Sequence, residues 1–214
     1  MEINSPQSLE QAFPAGSVVL ASASPRRHQL LRQVVDEFEI DPADIDEDGL
    51  TIPHPYETAK RLAEAKATAV SRRHPSKWII GSDTVVALPI ETPPTVPTSW
   101  VQFSKPTDKE DALRILKALS GKTHSVITGV SIVRNGFAWT DSAETKVTFH
   151  SVTDGQILSY IETGDPMDKA GAYGAQGMGN FLVESINGEF DTVIGLPVNL
   201  VRALLTKASA SIPQ

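Results

Sequence analysis

The chain has 214 residues, a formal net charge of −7 and no cysteine. That length can bury a sizeable core. The acidic balance argues against a sequence-independent nucleic-acid binder, and the absence of thiols excludes disulfide frameworks and thiolate catalysis. No apolar run reaches membrane-spanning length, and the opening MEINSPQSLEQAF is neither basic nor apolar enough for a secretory signal, so a soluble cytoplasmic protein with no membrane or nucleic-acid partner is expected.

Residues 1–16, with Pro6, Pro14 and Gly16, read as a loosely packed N-terminal extension ahead of a single domain over 17–214. VVLASASPRRHQLL then gives a buried strand (Val18, Val19, Leu20), a small-residue turn over Ser22–Ser24 and a helix from Pro25 with Leu30 and Leu31 inward. Ser24 is its N-cap and Pro25 sits at the first helical position, where a missing N–H costs nothing. The helix N-terminus suits an anion, and Arg26 and Arg27 add planar guanidinium groups matched to phosphate oxygens. Cations at that end are otherwise unfavourable by about 0.3–1 kcal/mol each, so the pair makes most sense around a bound anion. Two solvated arginines are the plain alternative.

FEIDPADIDEDG offers a short strand, Phe38 to Ile40, and then an acidic loop with Asp41, Asp44, Asp46, Glu47 and Asp48, solvated by composition. From Tyr56 to about Arg73 the pattern is helical, with an apolar stripe at Ala59, Leu62, Ala63, Ala69 and Val70. Lys66 lies on that stripe, so it either snorkels outward or reaches a phosphate or a carboxylate. GSDTVVAL reads as a buried strand interrupted at Gly81, Ser82 and Asp83. Apolar runs on both sides bury Asp83 in part, which demands a cation, a metal or hydrogen-bond donors. The alternative is an aspartate capping its own turn through Thr84.

Residues 89–104 hold four prolines and read as an extended surface loop. TDKEDALRILKALSGK is a helix with Thr107 as N-cap, Glu110 completing a capping box and Gly121 past its end. Strands over Ser125–Val133 and Phe137–Phe149 join at Asn135-Gly136, a hairpin signal. Thr153 with Gln156 opens a further helix to about Glu162, closed by Gly164. Half of the 14 glycines fall between Gly164 and Gly195. That density in DKAGAYGAQGMG suits a ligand wall, holding Asp168, Lys169, Tyr173 and Gln176, whose amide can read both donor and acceptor edges of a base; a flexible loop without function is the alternative. FLVESING is a strand, and Pro197 starts a last helix with Leu200, Val201, Leu204 and Leu205 inward. The histidines at 28, 54, 74, 124 and 150 lack metal-ligand spacing and are expected to be structural or exposed.

Arg26, Arg27, Lys66 and Lys105, the hydroxyls of Ser22 and Ser24, and the carboxylates Glu47 and Asp83 suit phosphoryl chemistry, which needs charge neutralisation and an activated water. The spaced blocks LASASPRR, LAEAKA, GSDTVV, SKPTD, SGKTHSVITGV, DKAGAYGAQGMG and GEFDTVIGLPV resemble the Maf family of nucleoside triphosphate pyrophosphatases from about Val18 to about Leu205. The resemblance implies an α/β fold: a mixed, twisted sheet flanked by helices, with a cleft between two lobes. It implies a nucleoside triphosphate substrate cut to the monophosphate and pyrophosphate, Mg2+ or Mn2+ as cofactor held by oxygen ligands including Glu47 or Asp83, and a homodimer. Asp83, Lys66 and Glu47 are then the catalytic residues, and Ser22, Ser24, Arg26, Arg27, Thr84, Lys105 and Gln176 bind substrate. GAYGAQG resembles the branch acting on dTTP and UTP more than the one acting on 7-methyl-GTP, with Gln176, Thr84 and Arg26 as discriminating positions. The long 89–104 excursion and the SKP triplet depart from the family's short turn and GKP-like triplet. A non-catalytic nucleotide-binding regulatory module is the alternative.

Overall fold

A computed structural model describes residues 13–47, 49–90, 93 and 98–211. In chain order it contains β1 (Val18–Leu20), α1 (Pro25–Leu31), β2 (Glu39–Ile40), α2 (Pro55–Ser71), β3 (Trp78–Ile90), β4 (Ser99–Phe103) and α3 (Lys109–Leu119). After these come β5 (Thr123–Arg134), β6 (Phe137–Phe149), α4 (Asp154–Glu162), three 3-10 turns between Asp165 and Leu182, β7 (Val183–Asn187), α5 (Phe190–Ile194) and α6 (Val198–Ser211). One mixed sheet runs β2-β1-β3-β5-β6-β7, with β4 on β3. β1 pairs parallel to both of its neighbours, and the other ladders are antiparallel. The α/β mixed sheet with flanking helices is the expected one.

The β5–β6 hairpin forms where Asn135-Gly136 allows it, both residues adopting positive φ (50° and 80°). Thr153 caps α4 with the full reciprocal box to Gln156. Other expectations are corrected. β3 runs unbroken through Gly81, Ser82 and Asp83, because β5 pairs with it across that stretch. The excursion over 89–104 is in good part a strand pair, β4 lying antiparallel on Val86–Ile90, while residues 91–92 and 94–97 fall outside those described. Asp108, not Thr107, caps α3, its carboxylate accepting from Asp111 N at 2.7 Å, so the box with Glu110 does not form. Ala67, not Ala69, completes the buried stripe of α2. Much of the expected extension, residues 1–12, lies outside the described residues, but Phe13 is 4% exposed and stacks edge-on against Trp78 at 5.1 Å.

Side chains alternate across β3. Ile79, Val85 and Ala87 pack under α2, whereas Trp78, Ile80 and Val86 pack on the opposite face. That opposite face carries two separate cores. One joins Leu31 of α1 to Val201 and Leu205 of α6; the other joins Ile115 and Leu116 of α3 to Ile157 and Tyr160 of α4. The cleft lies between them. On the α2 side the approach is unusually close: a Cβ at Gly81 would lie 2.8 Å from Ala67 Cβ, and one at Gly129 would lie 2.8 Å from Lys60 N and nearer still to Ala59 O.

His124 is buried with Tyr173 and Phe149 in a cluster of three mutually edge-on rings, its Nε2 2.9 Å from the Tyr173 hydroxyl. Burial pushes its pKa from 6.5 down to about 4. The neutral ring is therefore the native form, and the stability it contributes is complete above pH 6.5 and lost as pH falls toward 4. The swing amounts to about 3 kcal/mol. Thermal melts between pH 7.5 and 5 should show a smaller acid-side fall in Tm for His124→Gln than for the parent; equal slopes would remove His124 as the titrating group.

Candidate active site

β1 covers one edge of β3 only over residues 78–80, and β4 covers the same edge only over 86–90, leaving 81–85 without a strand neighbour there. A cleft of about 480 Å³ opens at that gap, and Asp83 and Thr84 sit in it. Arg27 spans the edge. Its Nη1 donates to Ser82 O at 2.8 Å and to Ser22 Oγ at 3.4 Å, its Nε to Gly195 O at 2.9 Å and its Nη2 to Thr84 Oγ1 at 3.3 Å. Four of the five guanidinium N–H groups are thus engaged by protein, leaving one on Nη2. The open guanidinium expected from sequence is instead chiefly a strut that ties α1 to β3 and to the α5–α6 turn, because a half-buried cation must satisfy its donors. Burial lowers its pKa, Asp83 and Glu47 oppose that fall, and Arg26 adds to it. Ser24 caps α1 as expected, accepting from Arg27 N. Arg26 lines the cleft mouth, and its charge contributes, after Lys169, to holding the Asp168 carboxyl below its ordinary range.

On the α2 side, Lys66 Nζ lies 2.5 Å from Asp83 Oδ1 and 2.9 Å from Glu47 Oε1. Asp83 is 8% exposed, so its charge requires this partner. The ammonium of Lys66 engages Oδ1 and leaves Oδ2 free of protein hydrogen bonds among the described residues. Lys66 thus takes the inward route, not the snorkelling one. Glu47 comes from the acidic loop, which α2 and the turn after it hold at both ends. Arg73 and His74 grip Asp41 at 2.8 Å, lowering its pKa to about 2, and the Thr58 hydroxyl bonds Ile52 N and O at 3.1 and 3.0 Å. Asp48 falls outside the described residues.

The far wall comes from the glycine-rich segment, from α5 and from the adjoining parts of β3 and β5. Val86, Val126, Tyr173, Ala175 and Val193 make it apolar, and Gln176 stands at its exposed rim. Lys105, just after β4, lines the same cleft. The structure therefore gathers Ser22, Ser24, Arg26, Arg27, Glu47, Lys66, Asp83, Thr84, Lys105 and Gln176 around one space, divided into a charged half and an apolar half. Sequence reasoning missed Gly195 and Ser82, whose main-chain oxygens hold Arg27. Their roles are carried by backbone, which leaves no side-chain signal. It also missed Gly81 and Gly129, which let α2 bring Lys66 to Asp83.

A family model described as "Maf-like protein" matches residues 17–208. A dTTP/UTP pyrophosphatase of Myxococcus xanthus is 42% identical over 200 residues, covering 92% of this chain and 94% of its own. One from Aquifex aeolicus is 43% identical over 182 residues (85% and 90%), and one from Latilactobacillus sakei 37% over 187 (87% and 98%). With a family model spanning nearly the whole chain and relatives of this identity matched almost end to end, the chain belongs to the Maf-like protein family.

Proposed function

We propose that this protein hydrolyses dTTP and UTP to the nucleoside monophosphate and pyrophosphate. The observation that carries the reading is Lys66 bridged between Glu47 and Asp83 on the floor of a cleft that also gathers Arg26, Arg27 and Lys105. A triphosphate supplies the anionic counterpart to that set, and its base suits the apolar half under Gln176. In the reaction, a water oxygen attacks the α-phosphorus. The bond from the α-phosphorus to the α,β-bridging oxygen breaks, and its electron pair leaves with pyrophosphate. Asp83 Oδ2 takes the proton of the attacking water, while Lys66 and the free Nη2 hydrogen of Arg27 stabilise charge building on the phosphoryl oxygens.

Glu47 and Asp83 each turn one oxygen to the Lys66 ammonium and keep the other, so two carboxylates stand side by side on the cleft. That is the number Mg2+ commonly takes from protein when phosphates and water complete its shell, and among the described residues no third acidic or histidine ligand joins them. Glu47 and Asp83 would hold Mg2+ or Mn2+, which when bound supplies further charge neutralisation on the phosphates. A homodimer, which rests on the family resemblance, and a cytoplasmic setting, which rests on composition, belong to the same proposal. Among the described residues no helix is long and apolar enough to cross a membrane.

Pyrophosphate release from dTTP, UTP, CTP and 7-methyl-GTP, with and without Mg2+, tests the reading. Turnover of dTTP and UTP above the other two is the expected result, and nucleotide binding without turnover would overturn it. Gln176→Glu, which trades a two-way amide for an acceptor, should raise KM for dTTP about tenfold, a loss typical of one hydrogen bond left unmade. An unchanged substrate profile would remove Gln176 from the base pocket.

A further inference from the structure

We infer that Tyr160, on α4 and behind the residues that line the cleft, is a positioning residue that holds the cleft wall carrying Gln176 and thereby sets selectivity among bases. The inference rests on the pyrophosphatase reading above. The Tyr160 hydroxyl donates to Asp165 Oδ2 at 2.7 Å and accepts from Gly174 N at 3.2 Å. Asp165 Oδ1 in turn accepts from Lys169 Nζ at 3.1 Å, and Lys169 also donates to Asp165 O and, at 2.7 Å, to Asp168 Oδ1. All three ammonium hydrogens of Lys169 are thereby used, so this lysine, although it lines the cleft, serves the brace and has none left for a phosphate.

The brace acts on the residues that matter for a base. Gly174 lies two positions before Gln176, and Tyr173, between Ala172 and Gly174, is fixed by His124. Two phenols thus secure two successive residues of the wall. The chain then folds back over the same hydroxyl: a Cβ at Gly179 would lie 2.6 Å from Tyr160 Oη. Tyr160 is buried, and burial together with the bond to Asp165 raises its pKa, so the phenol remains a donor throughout the working pH range. Without the hydroxyl, the Gly174 N–H and the Asp165 carboxylate both lose a partner, and the main chain leading to Gln176 loses its anchor two residues upstream.

Tyr160→Phe keeps the ring and its edge-on contact with Phe181, 5.7 Å away. The expected result is a five- to tenfold rise in KM for dTTP, about that of one lost buried hydrogen bond, with kcat within about twofold and a matching fall in the preference for dTTP over CTP. Thr153→Ala serves as the comparison, since it removes the cap of the same helix and lowers Tm without touching the wall. If the two variants share the same KM and the same base preference, Tyr160 is merely structural and the inference fails. Calorimetric binding of a dTTP analogue with a non-hydrolysable α,β-bridge separates this from the function itself. If the parent binds without turnover, a five- to tenfold weaker Tyr160→Phe still supports the brace, and equal affinity, or no binding by either, overturns it.

Discussion

Asp83→Asn is expected to lower the rate of pyrophosphate release by about 10²- to 10⁴-fold, the usual contribution of a positioned general base. Asparagine keeps the size of the side chain and can still accept from Lys66 through its carbonyl oxygen, but it cannot take a proton from water. Lys66 keeps Glu47 at 2.9 Å, so the ammonium is not stranded and the fold survives. Nucleotide affinity measured without divalent metal should hold or rise, because a negative charge leaves a cleft that must admit a polyanion. Single-turnover assays beside calorimetric binding of the non-hydrolysable analogue separate the two effects. A variant that retains more than about a tenth of the parental rate would take the base role away from Asp83, since a loss below tenfold is under 1.4 kcal/mol of barrier.

The residues that this prediction concerns were legible in sequence because each violates a local expectation. Lys66 is a cation on an apolar stripe, Asp83 an anion inside an apolar run, and Gln176 an amide in a glycine-rich wall. Such departures need a partner: Lys66 and Asp83 proved to be each other's, while Gln176 stands at the rim of the same cleft. Their spatial logic was not legible. Nothing in GSDTVVAL states that β1 stops pairing at Ile80 or that β4 starts at Val86, yet the space between those two limits is the cleft. Pairing partners are non-local, and a proline-rich stretch reads as loop whether or not its flanks form a ladder. The Asp108 cap on α3 was missed for a smaller reason, since Thr107 and Asp108 are both good caps and only backbone geometry selects between them. Arg27 shows the opposite error: a residue type suited to phosphate was read as free for it, when burial obliges it to spend most of its donors on carbonyls and hydroxyls.

Gly129→Ala should lose both stability and turnover, because the methyl group enters the one interface that sets the distance between Lys66 and Asp83. Gly129 is the direct cross-strand partner of Asp83 and faces α2 at Ala59 and Lys60. The atoms met there are main chain, which cannot rotate aside as a side-chain tip would, so the helix itself must lift. Overpacking of this kind costs about 1–3 kcal/mol, and a rigid backbone obstacle belongs at the upper end. Lifting α2 also withdraws Lys66 from Asp83 and carries the grip on the Glu47 loop with it. Misplacement of catalytic groups by about 1 Å is enough for a loss near 10²-fold in kcat. Gly136→Ala supplies the contrast. It strains the positive φ of the β5–β6 turn but meets no atom within 4 Å, so it should lower Tm and leave kcat intact. Assayed at a temperature where both variants are folded, a Gly129→Ala enzyme with parental kcat would show that the close seating of α2 does not govern the chemistry, and that the lysine reaches its carboxylates by side-chain freedom alone.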